Sequence, residues 1–208
     1  NNKDNLNKEM LKAAGEGRQR LVQGLITVGA DLETRDEENE TALHISAYKG
    51  DESVVRLLLL QRGIDVNSRG KYNSTPLMRA AGSGNLRVAS LLMRSDAQLN
   101  LQDSFSHSFK DGETALWSAA SQGHTSLVRE LIEKGADRDI QNRNDELGRT
   151  PLQEAQNWGH QASAMILDRG QIQKNDENAA KAVLAATEAG CPNVLSDLLV
   201  RGANMELK

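Results

Sequence analysis

Apolar and polar residues recur along this chain in blocks of one design. One block runs Thr41-Ala42-Leu43-His44-Ile45-Ser46-Ala47 and reaches Gly50. It returns as Thr75-Pro76-Leu77-Met78-Arg79-Ala80-Ala81 with Gly84, and as Thr114-Ala115-Leu116-Trp117-Ser118-Ala119-Ala120 with Gly123. A fourth copy runs Thr150-Pro151-Leu152-Gln153-Glu154-Ala155 to Gly159. Degenerate copies flank these, from Lys8 to Gly17 and from Lys181 to Gly190. All six anchors have Gly nine residues on, although Gly is only 17 of 208 residues. Near-constant spacing of that kind specifies an array of stacked units rather than one enclosed core.

Within a block the pattern predicts a pair of helices. Thr can cap the first N–H groups of a helix. Pro76 and Pro151 follow it where a missing N–H costs nothing. Leu at +2 with Ala at +5 and +6 forms a narrow apolar stripe that lets a neighbour approach closely. Gly at +9 is suited to a left-handed helix end. A second helix then carries apolar pairs four apart: Leu21-Val22 with Leu25-Ile26, Val54-Val55 with Leu58-Leu59, Leu127-Val128 with Leu131-Ile132, and Val194-Leu195 with Leu198-Leu199. That spacing lines one helical face. Gly-Ala-Asp or a variant closes the unit, at Gly29, Gly135 and Gly202.

Thr-Pro-Leu-His-x-Ala-Ala, Gly nine on, paired leucines and Gly-Ala-Asp-x-Asn together resemble the ankyrin repeat, over about residues 8–207. The resemblance implies an all-α solenoid of stacked helix–turn–helix units joined by β-hairpin-like fingers. The expected organisation is an N-terminal extension over residues 1–7 and a repeat domain over 8–208, with units starting near 8, 41, 75, 114, 150 and 181. The fifth unit departs most. Gln156 replaces Ala, Ser163 and Ala164 replace the apolar pair, and Asp168 stands where Leu is expected. A weak interface is expected there.

Composition adds limits. Aromatics are 3% of residues, so the core must come from Leu, Val, Ile and Ala. A net charge of -4 argues against a nucleic-acid binder, which would normally carry a basic face. The single cysteine, Cys191, excludes an intrachain disulfide and points to a reducing compartment, the cytoplasm (or the nucleus or a host cytosol). No apolar run approaches the roughly 20 residues that span a bilayer. The chain begins Asn1-Asn2-Lys3 without Met or signal peptide, as a processed or excised fragment would.

No chemistry of an enzyme is legible. His/Cys clusters with metal spacing and glycine-rich phosphate loops are missing. The resemblance gives His44 the family's structural task of bonding loop backbone, and His124 and His160 a structural place after the +9 Gly. His107 is off-pattern and reads as a bystander. No cofactor, metal, small-molecule substrate or nucleic acid is expected; a partner protein is, with the chain itself a monomer.

By position, the resemblance places that partner on the concave face of fingers and first helices. The residues so marked are Glu40, Tyr48, Lys49, Lys71, Tyr72, Ser74, Arg79, Glu113, Ser118, Ser121, Gln122, Arg149, Glu154, Asn157 and Trp158. Trp117 stands at the usual histidine position and either packs between first helices or faces the partner. The connector 103–112 is six residues over the pattern and holds Phe105 and Phe109. These rings either present themselves to a partner or fold back onto the array. The connector 142–148 is three residues over. Residues 31–40 hold six acids against Arg35, and 56–94 hold seven bases against Asp65; an acidic finger beside a basic middle would orient a charged partner. Asp65-Val66-Asn67 after Leu59 resembles the asparagine-hydroxylation site of eukaryotic ankyrin repeats, with Asn67 the target and Asn100 a poorer match. Two readings of function follow: a protein-interaction module, or a targeting or regulatory domain cut from a larger enzyme, channel or secreted effector.

Overall fold

The computed structural model describes residues 2–104, 112–143 and 147–168. Phe105, Phe109 and the expected sixth unit, 181–190, lie outside the described residues. The chain divides into two compact units, Asn1–Ala164 and Met165–Lys208.

The helices are α1 (Asn2–Gly15), α2 (Gln19–Thr27), α3 (Ala42–Lys49), α4 (Glu52–Leu59), α5 (Pro76–Gly82), α6 (Leu86–Arg94), α7 (Ala115–Ser121), α8 (Thr125–Glu133), α9 (Pro151–Asn157) and α10 (Gln161–Leu167). A single 3-10 turn covers Lys71–Asn73. Among the described residues β structure is limited to one isolated bridge, Asn142 with Arg149. The fold is all-α. Odd-numbered helices α1 to α9 stack side by side in one layer, and α2, α4, α6 and α8 stack in a second.

The motif threonines act as N-caps. Thr75, Thr114 and Thr150 accept from the backbone N–H of Met78 (3.3 Å), Trp117 (3.1 Å) and Gln153 (3.3 Å). The layer of first helices buries Met10, Ala13 and Ala14, then Leu43 and Ala47, Leu77 with Ala80 and Ala81, and Leu116 with Ala119 and Ala120. The second helices bury Val22, Leu25, Val54, Val55, Leu58, Val88, Ala89, Leu92, Leu127, Val128 and Leu131. Completely burying one Val or Leu is worth about 1.5–3 kcal/mol, so each helix pair depends on its neighbours for most of its stability.

The glycines at +9 are required twice over. Gly50, Gly84 and Gly123 have φ of 77, 73 and 70°. They also leave space for the following unit. A Cβ on Gly50 would lie 2.5 Å from Asn85 Oδ1, and one on Gly123 would lie 2.5 Å from His160 Nδ1. Those intruding side chains form the rungs between units. Asn85 Nδ2 donates to the carbonyls of Ala47 (2.9 Å) and Tyr48 (2.8 Å), and His160 Nε2 donates to that of Ser121 (3.0 Å).

Residues 2–7 are continuous with the rest of α1, and Asn7 Oδ1 accepts from the Asp31 N–H at 2.9 Å. In the fifth unit Ser163 is fully buried, and its hydroxyl meets Thr125 Oγ1 at 3.0 Å, a polar contact where the fourth unit has Leu127 and Val128.

Candidate functional site

The fingers are closed loops. Each is pinned by one backbone bond, Asp36 N to Glu40 O, Gly70 N to Ser74 O, Asp103 N to Glu113 O, and Asn142 N to Arg149 O, at 2.8–3.0 Å. Each is also tied to the next through a long side chain. Arg35 Nη1 donates to the carbonyls of Asn39 and Arg69. Arg69 Nη1 donates to Asn73 O (2.8 Å) and Gln102 O (3.0 Å). Gln102 Nε2 donates to Gly112 O (2.8 Å) and Gln141 O (2.9 Å). A parallel ladder of turn side chains runs beside it: Glu33 accepts from the Asp65 N–H, Asn67 from Gln98 and Asn100 from Asp137, at 2.8–3.0 Å. The fingers are therefore a bonded set, not independent flaps.

His44 fixes the second finger. Its Nδ1 accepts from the Thr41 N–H (3.3 Å) and hydroxyl (2.9 Å), and its Nε2–H faces the carbonyls of Ser68 (3.0 Å) and Ser74 (3.2 Å). The ring is fully buried. Burial pushes its pKa down to about 4, against the two carbonyl bonds, so it is neutral at pH 7. Trp117 does the same for the fourth finger. Its Nε1 donates to the Arg149 carbonyl at 3.1 Å. Arg149 precedes Thr150 as Ser74 precedes Thr75, so an indole replaces an imidazole at one carbonyl.

The marked residues now sort by exposure. Tyr48 is 49% exposed, Tyr72 40% and Trp158 63%. Lys49, Gln122 and Asn157 are also exposed. Lys71, Arg79, Glu113 and Arg149 are partly buried. Glu40, Trp117 and Ser118 are buried, with Trp117 only 8% exposed. Glu40 is held by Arg79, Trp117 by the fourth finger, and Ser118 by Thr114 O and Glu113. Ser74, Ser121 and Glu154, also marked, are buried.

Repeat spacing lays two acids of the first finger beside two bases of the middle block. Glu38 pairs with Lys71, and Arg79 spans both oxygens of Glu40 at 3.0 and 3.1 Å. Each cation also lies over a ring, Lys71 at 5.1 Å from Tyr72 and Arg79 at 4.8 Å from Tyr48. Farther along, Arg149 Nη1 meets Glu154 Oε2 at 2.6 Å, and the Trp158 indole N–H bonds Glu154 Oε1. Tyr72 has φ of 55°, in the left-handed region that costs a non-glycine residue about 1–2 kcal/mol.

Between the second and third fingers, above α5 and α7, lies a cleft of about 250 Å³. Tyr48, Tyr72, Ser74, Asp103 and Glu113 are on its walls. Asp103 and Glu113 close the long finger: Asp103 Oδ1 accepts from the Glu113 N–H at 2.7 Å. Burial raises the Glu113 carboxyl to about 7. The charges of Asp103 and Glu154 push the same way, and the Ser118 hydroxyl offsets them in part. Asp103 is also raised, chiefly by burial. Sequence position marked Glu113 but gave no sign that it lacks a cation, because that depends on where the neighbouring bases point.

With the geometry in place, comparison with known proteins is direct. A family model described as ankyrin repeats, in three copies, matches residues 10–103 and 98–178. The chain belongs to the ankyrin-repeat family. Ankyrin repeats generally mediate protein–protein interaction and are generally non-catalytic. Among similar proteins, the B-cell lymphoma 3 protein homolog of Mus musculus is 35% identical over 135 residues, covering 64% of this chain and 28% of that protein. A transient receptor potential cation channel subfamily A member 1 homolog of Caenorhabditis elegans is 34% identical over 116 residues, 56% of this chain and 9% of its own. The E3 ubiquitin-protein ligase KEG of Arabidopsis thaliana is 34% identical over 119 residues, 57% and 7% respectively. The chain thus spans well under a third of each relative's length. Among the described residues no helix is long and apolar enough to cross a membrane, and no three His, Cys, Asp or Glu side chains gather to hold a metal ion.

Proposed function

We propose that this chain is a non-catalytic interaction module that binds a segment of a partner protein along the face of its fingers and first helices. The observation that carries the reading is the set of exposed aromatics on that face, Tyr48, Tyr72 and Trp158. Two of them are stacked with Arg79 and Lys71, and aromatic and arginine side chains dominate binding hot spots. Bonded fingers favour the reading too, since a surface ordered before binding loses less entropy on binding. The reading takes the module to be a cytoplasmic monomer without cofactor, with Asn67 a candidate for hydroxylation.

A second reading concerns the owner of the module. The relatives include a channel and a ubiquitin ligase of which only 9% and 7% is matched. That favours a targeting or regulatory domain within a larger protein, and it is compatible with the first reading.

The test is affinity capture from the source cell with the wild-type chain, Tyr72→Ala, Trp158→Ala and a deletion of residues 104–110. Loss of the same captured protein in all three supports the reading. Capture unaltered by any of them overturns it.

A further inference from the structure

The acids of the finger face are not treated alike. Glu38 and Glu40 are matched by Lys71 and Arg79, and Glu154 by Arg149. Asp103 receives the Glu113 N–H and feels the charge of Arg69. Among the described residues Glu113 has no such partner: its side-chain bond there is a donated hydroxyl from Ser118 at 3.2 Å, and the charges that act on it, Asp103 and Glu154, are both acidic. A partly buried carboxylate without a cation is costly.

A second group in the same cleft is also unmatched. Ser74 is 6% exposed, and its hydroxyl has no hydrogen-bond partner. The cleft therefore holds a carboxylate without a cation beside an unpaired hydroxyl. Its two lining cations, Lys71 and Arg79, are already neutralised by Glu38 and Glu40 and do not supply that cation. At about 250 Å³ it is smaller than the ~300–1,000 Å³ typical of small-molecule sites and suits one long side chain. Its aromatic walls, Tyr48 and Tyr72, suit the aliphatic stem of such a side chain.

From this juxtaposition we infer that the cleft between the second and third fingers takes a lysine or arginine side chain of the partner segment, with Glu113 as the counter-charge. The inference rests on the proposed function and names what its partner must carry. It has a pH dependence. The groups facing Glu113 are Asp103 and Glu154, with Arg69 beside the first and Arg149 on the second. Lys71, raised by its bond to Glu38, stays charged and His44 stays neutral between pH 6 and pH 8. Glu113, raised to about 7, is the group that changes, so affinity should fall about tenfold from pH 8 to pH 6.

The test uses the whole chain and four probes by NMR: Nα-acetyl-argininamide, Nα-acetyl-lysinamide, and the uncharged citrulline and norleucine counterparts. Saturable shifts at Tyr72, Glu113 and Ser118 are expected with the cationic amides only. Saturation should move the Glu113 carboxyl midpoint from about 7 to about 6 or below. Glu113→Gln should bind at least tenfold more weakly, with its Ser118 and Tyr72 amide signals otherwise in place. Equal binding of citrulline, an unmoved Glu113 midpoint, or full affinity in Glu113→Gln overturns the inference. If the amides fail while captured protein still depends on Tyr72 and Trp158, the cleft inference falls and the proposed function stands. If that dependence is missing too, both fall.

Discussion

Glu113→Gln should stabilise the folded chain, and by more at high pH. The folded-state carboxyl is raised to about 7 against an ordinary 4.5. A raised group contributes stability that is complete below the unfolded value and is lost as pH rises through the folded one. For Glu113 that window runs from pH 4.5 to above 7. Each pKa unit corresponds to about 1.4 kcal/mol. Between pH 5 and pH 8 the wild type should therefore lose about 2 kcal/mol through this residue, after allowance for its partial exposure. Gln keeps the shape and can still accept from Ser118 but carries no charge. The informative quantity is a double difference: the variant's gain over wild type at pH 8 minus its gain at pH 5. Urea unfolding at the two pH values, with equal m-values required, measures it. His44 and Glu40 also titrate abnormally, but they are common to both proteins and cancel; Asp103 is coupled to Glu113, and its response is part of the difference measured. A double difference near zero would show that Glu113 is solvated and that the cleft carries no uncompensated charge.

Other consequences are simpler. His44, lowered to about 4 by burial, contributes stability above pH 6.5 that is lost as pH falls toward 4; its Cε1 proton should titrate near 4, and in Glu113→Gln the acid limb should cost about 2 kcal/mol by pH 5. Gly50→Ala strains a left-handed position and drives a methyl into Asn85, so it should cost about 2 kcal/mol or more in urea unfolding. Trp117→Phe removes the donor to the Arg149 carbonyl; a loss of about 1–2 kcal/mol and faster amide exchange at Asn142 are expected. Amides of 150–167 should exchange faster than those of 114–140, since Ser163 and Ala164 supply less apolar burial than Leu127 and Val128.

The helices and their caps were legible because each residue of the motif does a local job. Thr caps, Pro fits the first turn, and Gly supplies a left-handed end, all within nine residues of chain. Relations between units were only half legible. Arg35, Arg69 and Gln102 each follow the start of a closing turn by four residues, at Asp31, Asp65 and Gln98. That regularity was present in the sequence, yet two arginines read as surface charge until their carbonyl partners were seen. Charge counted along the chain likewise ignores that Glu38 and Glu40 lie beside Lys71 and Arg79. Trp117 was left between two readings because indole and imidazole share a donor but not a size. The isolation of Glu113 was hidden altogether, being a property of what its neighbours already hold.

The central claim, that partners bind on the finger and first-helix face, is tested most directly by amide-shift mapping. Peptides selected from a random library on the folded chain would be titrated into the isotope-labelled protein. The account predicts that the largest shifts cluster at Tyr48, Tyr72, Arg79, Glu113 and Trp158. A cluster instead around the exposed ends of the second helices, at Val28 and Leu60, would contradict it.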